Sequence, residues 1–161
     1  QELIHVPLIM CGPGIPKSKR IKDNASLVDV MPTVLAVLGI ETPEVQSGIN
    51  LQPIWSRGED IMPSRCIFAE ADHNNIRHDI KRAVLQNNYK LHYDLLTRKF
   101  QLYDLKKDSG EKTDISKEKN AISKLLFNQL SQFMQFERTA PAQKNLSSEE
   151  INKLKSLGYL Q

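Results

Sequence analysis

The sequence lacks the features that mark several classes of protein. It has two cysteines, Cys11 and Cys66, among 161 residues, and neither forms a CxxC pair or a zinc-ligand spacing with the four histidines. Aromatic residues make up 6% and the formal net charge is +3, so the basic, aromatic-interleaved stripe of a nucleic-acid binder is missing. No apolar run is long enough to span a bilayer. We therefore expect neither a nucleic-acid partner nor a membrane partner.

The beginning of the chain also lacks the basic, apolar and small-residue pattern of a signal peptide. The first residue is Gln1 rather than methionine, so we expect that the natural N-terminus is missing together with any targeting segment. What is present is ordinary for a globular protein, with 40% apolar and 25% charged residues.

A short apolar run and a helical pattern open the chain. Residues 3–10 read LIHVPLIM, which predicts a strand buried on both faces of a parallel sheet, although Pro7 is awkward there. After a GPG turn, NASLVDVMPTVLAVLG predicts a helix that is capped by Ser26 with Asp29 and stopped by Gly39. Strand followed by helix is typical of an α/β sheet. One buried strand cannot form such a sheet alone, so its neighbours must lie in missing sequence or in another molecule.

The pattern changes after a loop-like stretch at residues 41–65. Four strand candidates follow, CIFAEAD (66–72), IKRAVLQ (80–86), YKLHYDL (89–95) and FQLYDL (100–105). The short links between them predict an antiparallel meander. Asp104 and Asp108 are expected to fix the turn after the last strand.

Two helices are predicted to close the chain. The first runs from about Lys117 to Arg138 and would cover the meander with one apolar face. That face comprises Ile122, Leu125, Leu126, Leu130, Phe133 and Met134. Ser147 and Glu150 form a capping box for a last helix that ends at Gly158. We thus predict an α/β end with its linker at residues 1–58, where Trp55 serves in packing, and a small α+β unit at residues 59–161.

Five motifs occur in an order that resembles the closing part of the sulfatase family, in the alkaline phosphatase superfamily. They are VPLIMCGPGIP (6–16), SLVDVMPTVLAVLGIETP (26–43), Gly48 with Leu51, KRAVLQNNYKL (81–91) and LYDLKKDSGEKTDI (102–115). The resemblance covers nearly the whole chain and implies the fold of such a C-terminal portion. It comprises the last strand–helix unit of an alkaline-phosphatase-like α/β domain and a small domain with a four-stranded antiparallel sheet packed by a helix.

The resemblance also implies an activity for the intact protein. Sulfatases hydrolyse sulfate esters with a bound divalent metal, usually calcium, and a formylglycine nucleophile made in a Cys/Ser-x-Pro-x-Arg motif. The expected partner of the intact enzyme is a sulfated small molecule or a glycan. The expected compartment is extracytoplasmic: periplasmic, secreted or lysosomal. The family's nucleophile, metal ligands and active-site lysine fall before VPLI, so no catalytic residue, metal ligand or cofactor is predicted in this chain.

Cys11 satisfies the first position of the nucleophile motif only by accident. Gly12 and Pro13 follow it, but Ile15 stands where the family needs arginine. We expect Cys11 to be a small buried residue at the end of the predicted strand.

The best candidate for substrate contact is ADHNNIRHD, residues 71–79. His73, Asn74 and His78 can form hydrogen bonds with a sulfate or sugar, and Arg77 can pair with an anion. The alternative is a solvated polar hairpin. A metal site made of Asp72, His73 and His78 is disfavoured because nothing in a loop fixes their geometry.

Other functions remain open from sequence alone. A phosphonate or phosphate monoester hydrolase of the same superfamily would share the C-terminal pattern. A non-catalytic binding module would need this chain to be a natural, stable monomer. We expect instead that the isolated chain is inactive and covers residues 3–10 by self-association.

Overall fold

The computed structural model describes residues 4–41, 47–58, 65–73 and 79–139, together with Lys153 and Ser156. Within these residues a 3₁₀ turn (Leu27–Asp29) leads into helix α1 (Val30–Val37), and α2 (Gln52–Ser56) follows. Strands β1 (Ile67–His73), β2 (Asp79–Gln86), β3 (Tyr89–Asp94) and β4 (Phe100–Asp104) precede helix α3 (Asn120–Thr139).

The chain divides into two compact units, Gln1–Ser131 and Gln132–Gln161. The predicted boundary between residues 58 and 59 stays a prediction. The predicted last helix, with its cap at Ser147 and Glu150 and its end at Gly158, lies outside the described residues except for Lys153 and Ser156, which are helical.

The four strands form one antiparallel sheet in the order β1-β2-β3-β4, which confirms the predicted meander. Its register places Val84 opposite Phe68 on one side and opposite Leu91 on the other, and Leu91 opposite Leu102. Val84, Leu91 and Leu102 are completely buried, so this row is the core of one sheet face. Full burial of each such side chain contributes about 1.5–3 kcal/mol.

Helix α3 covers that face, as predicted. Phe127 packs against Tyr93 and Phe100, with ring centroids 5.0 and 5.6 Å apart. Leu126 and Leu130 are 1% and 0% exposed, as their four-residue spacing on one side of a helix requires. Leu125, predicted on the same face, is 52% exposed, because it lies a 100° rotation away from Leu126.

Helix α1 also forms as predicted, but it buries its polar side. Asp29 and Thr33 are fully buried, and Pro32 is tolerated because it lies in the first turn of the helix. Six large apolar side chains on and beside the helix are exposed, whereas Leu35 and Val37 are half-buried. The six are Leu27, Val28, Met31, Val34, Leu38 and Ile40. Below it, Trp55 packs against the small cluster of Leu51 and Ile54.

The prediction of a strand at residues 3–10 is wrong. Residues 5–10 have no strand structure, and all but Met10 are exposed. A strand exists only where a neighbour satisfies its backbone donors and acceptors, and the described residues form no such ladder with this segment. The prediction that Cys11 is buried is wrong for the same reason, since Cys11 is exposed.

Candidate functional site

The connection from β1 to β2 carries the four residues predicted to contact substrate. His73 is the last residue of β1, where its backbone pairs with Asp79. The His73 side chain and the whole of Asn74, Arg77 and His78 lie outside what the structure describes. The predicted grouping of these four residues therefore stays a prediction.

The sheet determines which other loop lies at the same end as that connection. The turn between β3 and β4 does, since the Leu95 N–H donates to the Ile80 carbonyl at 3.0 Å. Asp94 holds this turn because its Oδ1 accepts the N–H groups of Leu96 and Thr97 at 2.9 and 2.8 Å. The Thr97 bond contributes most to lowering the pKa of Asp94. The Asn87–Asn88 turn and the β4 end lie at the opposite end of the sheet.

The strongest polar site in the described residues is built around Asp29. Its carboxylate receives both Nη groups of Arg65, at 2.6 and 2.8 Å, in a bidentate pair. It also accepts the N–H of Ser26 at 2.7 Å and the N–H of Ile49 at 2.9 Å. Burial alone would raise the pKa of Asp29, but the bonds from Arg65, Ile49 and Ser26 outweigh it and lower that pKa. Asp29 is therefore a charged, fully satisfied anchor.

Thr33 extends the Asp29 anchor to the following loop. Its hydroxyl donates to the Asp29 carbonyl at 2.6 Å and accepts the Leu51 N–H at 3.0 Å. Gly48 lies so close to the 3₁₀ turn that an added Cβ would clash with the Val28 carbonyl oxygen. Any larger residue at this position would push the loop away from Asp29.

A second carboxylate, that of Glu111, lies partly buried against the other sheet face. Glu111 accepts from the Lys90 Nζ at 2.8 Å, and its second oxygen lies 2.9 Å from the His92 Nε2. Lys90 is 1% exposed. Burial lowers the pKa of His92, with a further contribution from Lys90 that Glu111 opposes. Glu111 itself has a φ of 54°, in the left-handed region that costs a non-glycine residue energy.

Neither carboxylate site has the groups for hydrolysis. In the described part of the chain, no three His, Cys, Asp or Glu side chains are grouped to hold a metal ion. Cys11 and Cys66 are free thiols, and burial raises the pKa of Cys66, which disfavours a thiolate nucleophile. Nor is any described helix both long and apolar enough to cross a membrane. These buried pairs hold elements in place instead.

The sequence predicted the turn-forming roles of Asp104 and Asp108, but it predicted neither of the two ion pairs. Asp104 and Asp108 fix the turn after β4, since they accept the N–H groups of Lys106 at 3.1 Å and of Lys112 at 2.8 Å. Asp29 was predicted only as a helix cap. Its partner Arg65 is 36 residues away, and no local pattern links the two.

Comparison with known proteins gives a consistent picture. A family model described as the C-terminal part of N-sulphoglucosamine sulphohydrolase matches residues 1–138. The Delta 4,5-hexuronate-2-O-sulfatase of Bacteroides thetaiotaomicron is 32% identical over 122 residues, 73% of this chain and 25% of that protein. Arylsulfatase K of Homo sapiens is 28% identical over 161 residues, 94% of this chain and 30% of the relative.

A solved structure agrees with these relatives. The structure of a 2-O GAG sulfatase superposes with a TM-score of 0.59 at 29% identity and covers 84% of this chain. The chain spans 25–30% of the length of these relatives and of that structure. The four-stranded sheet with its covering helix is consistent with the C-terminal domain of such a protein, and the sulfatase interpretation is favoured over a phosphonate or phosphate hydrolase.

Proposed function

Because the chain belongs to the family defined by the C-terminal part of N-sulphoglucosamine sulphohydrolase, we propose that the intact protein hydrolyses sulfate esters. The observation that carries this proposal is the match over residues 1–138, supported by relatives that are sulfatases. The described residues hold no group of three His, Cys, Asp or Glu side chains that could bind the metal of such an enzyme. We therefore assign the chemical step to the remaining part of the intact protein.

We propose that the remaining part of the intact protein also supplies the metal and the nucleophile. A sulfatase uses a divalent metal, here proposed to be calcium, and a formylglycine. The described residues offer no group of ligands that would fit such a metal, so no step is assigned to it here. An extracytoplasmic or lysosomal location is part of this proposal, because it is typical of the family.

We propose that this chain contributes to substrate binding through the β1–β2 connection. His73, Asn74, Arg77 and His78 combine hydrogen-bond donors with a cation, which suits a sulfated sugar. Strands β1 and β2 lie on a sheet with a completely buried core, and a rigid base of this kind favours a binding loop. The relative that acts on a hexuronate 2-O-sulfate suggests a sulfated glycan as the substrate class.

The exposed apolar side of α1 supports a further part of the proposal. A helix that is apolar around most of its circumference normally lies inside a larger protein. We propose that the rest of the intact protein covers it together with Val6, Leu8 and Ile9, which are also exposed. In the isolated 161-residue chain, we expect a second copy to cover the same surface.

The experiment compares the intact protein with the isolated chain. We expect the intact protein to release sulfate from a 2-O-sulfated unsaturated hexuronate disaccharide, and the isolated chain to give only the buffer rate. Sulfate release by the pure chain would contradict our assignment of the chemistry. An intact protein that cleaves the matching phosphate ester but not the sulfate ester would contradict the proposed activity.

Two variants of the intact protein test the role of the connection. Arg77→Ala and His78→Ala should each raise KM for the disaccharide about ten- to a hundredfold, because each removes a charge-assisted hydrogen bond worth roughly 1.5–3 kcal/mol. Lys106→Ala and Lys107→Ala are the matched controls, since these exposed lysines follow β4 at the opposite end of the sheet. An equal effect of the controls would argue for the solvated hairpin.

A further inference from the structure

We infer that residues 17–22, KSKRIK, form a binding surface for a linear sulfated polysaccharide. This stretch, the basic segment, carries four cations in six residues: Lys17, Lys19, Arg20 and Lys22. The inference rests on the proposed function for the class of anion, a sulfated glycan. It adds a binding surface that lies outside the β1–β2 connection and that no relative's description assigns.

The basic segment differs from the other lysine-rich stretch in having no acid beside its cations. No Asp or Glu occurs from residue 3 to residue 22, whereas five lysines are balanced by five acids in residues 104–119. Among the residues that the structure describes, no carboxylate forms an ion pair with Lys17, Arg20 or Lys22. The positive potential of the basic segment is therefore not cancelled locally and favours an external anion.

The fourth cation, Lys19, fastens the basic segment to helix α2. Its Nζ donates to the carbonyl oxygens of Ile54 and Trp55, each at 3.2 Å. These carbonyls lie in the last turn of α2, where a cation also complements the helix dipole. The chain turns just before Lys19, since Ser18 has a φ of 58°. The backbone of the segment is thus fixed before an anion binds, which lowers the entropy that binding costs.

The three remaining cations are exposed and form a short strip. Lys17, Arg20 and Lys22 all reach solvent, and the Cα atoms of residues 17 and 22 can be at most about 18 Å apart. Arg20 can donate two parallel N–H···O bonds to one oxyanion, while each lysine acts as a point charge. A polymer with anionic groups along its length contacts all three cations at once, which a single sulfate group cannot do.

The chemistry of the basic segment favours a sulfated polysaccharide over a nucleic acid. No aromatic residue occurs in residues 1–54, so the segment itself has no ring on which a base could stack. Trp55, beside which Lys19 is held, packs against the cluster of Leu51 and Ile54. Sulfate esters need only positive charge and hydrogen-bond donors, and the segment supplies both.

The measurement is binding of the 161-residue chain to chondroitin sulfate over a range of salt concentrations. The triple variant Lys17→Gln, Arg20→Gln and Lys22→Gln should bind about tenfold more weakly at low salt, because three exposed charge contacts are lost. The slope of log affinity against log salt should become less steep by about two, since three cations no longer displace counterions. Wild-type affinity in this variant overturns the inference.

A matched variant controls for net charge. Lys106→Gln, Lys107→Gln and Lys117→Gln removes the same formal charge from exposed positions in the balanced residues 104–119. Its affinity for chondroitin sulfate should stay within about twofold of wild type, because neighbouring acids already cancel those lysines. Equal weakening in both triple variants would mean that only net charge matters, and would overturn the inference.

Two further probes test the class of polymer. Unsulfated chondroitin and a single-stranded DNA oligonucleotide should both bind the wild-type chain more weakly than chondroitin sulfate does. DNA that binds as tightly as chondroitin sulfate would overturn the choice of a sulfated polysaccharide. Equal binding of unsulfated chondroitin would overturn the role of the sulfate groups.

Sulfate release by the intact protein separates this inference from the proposed function. An intact protein that binds chondroitin sulfate through the basic segment, yet releases no sulfate from the hexuronate disaccharide, would contradict the proposed function alone. An intact protein that releases sulfate, while its basic-segment variant binds the polymer like wild type, would contradict the inference alone.

Discussion

Helices α1 and α3 both carry large apolar side chains, yet they are attached to the rest of the protein in different ways. α3 buries Leu126 and Leu130 and packs Phe127 on two aromatic residues of the sheet. α1 buries the carboxylate of Asp29 and the hydroxyl of Thr33, and exposes Met31 and Leu38 by 52% and 64%. α3 is held mainly by apolar contact, whereas hydrogen bonds to Asp29 and Thr33 tie α1 to the loop that follows it.

The difference indicates where each helix finds its neighbours. An amphipathic helix on a sheet satisfies its apolar face within this chain. A helix whose buried side is polar and whose free side is apolar has its hydrophobic partner elsewhere, which agrees with a chain that spans 25–30% of its relatives. The buried polar groups fix the direction of α1, since ionic and hydrogen-bond geometry is more specific than apolar contact.

The largest loss of unfolding free energy is expected from removing Asp29, the anchor of α1. Asp29→Ala leaves the Arg65 guanidinium and two backbone N–H groups without their acceptor. Breaking one partner of a buried ion pair costs about 3–5 kcal/mol of unfolding free energy. Urea denaturation of the 161-residue chain measures this loss. The exposed Glu118→Ala is the control and should change the free energy by less than about 0.5 kcal/mol. A loss below about 1 kcal/mol for Asp29→Ala would refute the anchor.

A similar loss of unfolding free energy is expected when Leu130, a fully buried residue that anchors α3, is truncated. Leu130→Ala should cost about 2–5 kcal/mol, because a fully buried leucine leaves a cavity when truncated. Leu125→Ala on the same helix has the same chemistry at a half-exposed position, and should cost less than about 1 kcal/mol. Equal losses in denaturation would mean that α3 has no preferred face, contrary to the comparison.

Acidification should destabilise α1 before it destabilises α3, without any mutation. The pKa of Asp29 is lowered in the folded chain, so its contribution is complete above the unfolded value of about 3.9. The contribution is lost as pH falls through the folded pKa. The leucines of α3 do not titrate. On acidification below pH about 4, α1 amides should therefore lose protection from hydrogen exchange before α3 amides do. In Asp29→Asn the extra loss in α1 should disappear, and simultaneous loss in wild type would contradict this account.

The sequence predicted the strands, turns and helix face that depend on residues close together in the chain. The four strands follow from short stretches that mix apolar, aromatic and polar residues and are joined by short links, and the roles of Asp104 and Asp108 follow from turn chemistry. The apolar face of α3 follows from its period, although Leu125 shows that the period does not decide which marginal position is covered. These predictions needed no information from distant residues.

The remaining features depend on contacts that are far apart in sequence. Nothing near Asp29 indicates Arg65, and nothing in YKL indicates that Lys90 is buried beside Glu111. Residues 5–10 have strand composition but no ladder, because composition supplies a propensity and only a neighbour supplies hydrogen bonds. The candidate site was read from residue types in a loop, so the sequence could propose its chemistry but not its geometry.

Polar substitutions on the exposed side of α1 should have the smallest effect on stability. They also test most directly whether α1 and α3 differ in where their apolar side chains find partners. The triple variant Met31→Gln, Val34→Gln and Leu38→Gln changes three side chains that are 41–64% exposed. Because little is lost from burial, each change should alter the unfolding free energy by no more than about 0.5 kcal/mol. Light scattering should nevertheless show less self-association, since the apolar surface that a second copy covers has become polar. A wild-type chain that stays monomeric at high concentration would show that this surface needs no cover, and the contrast between the two helices would then reflect composition alone.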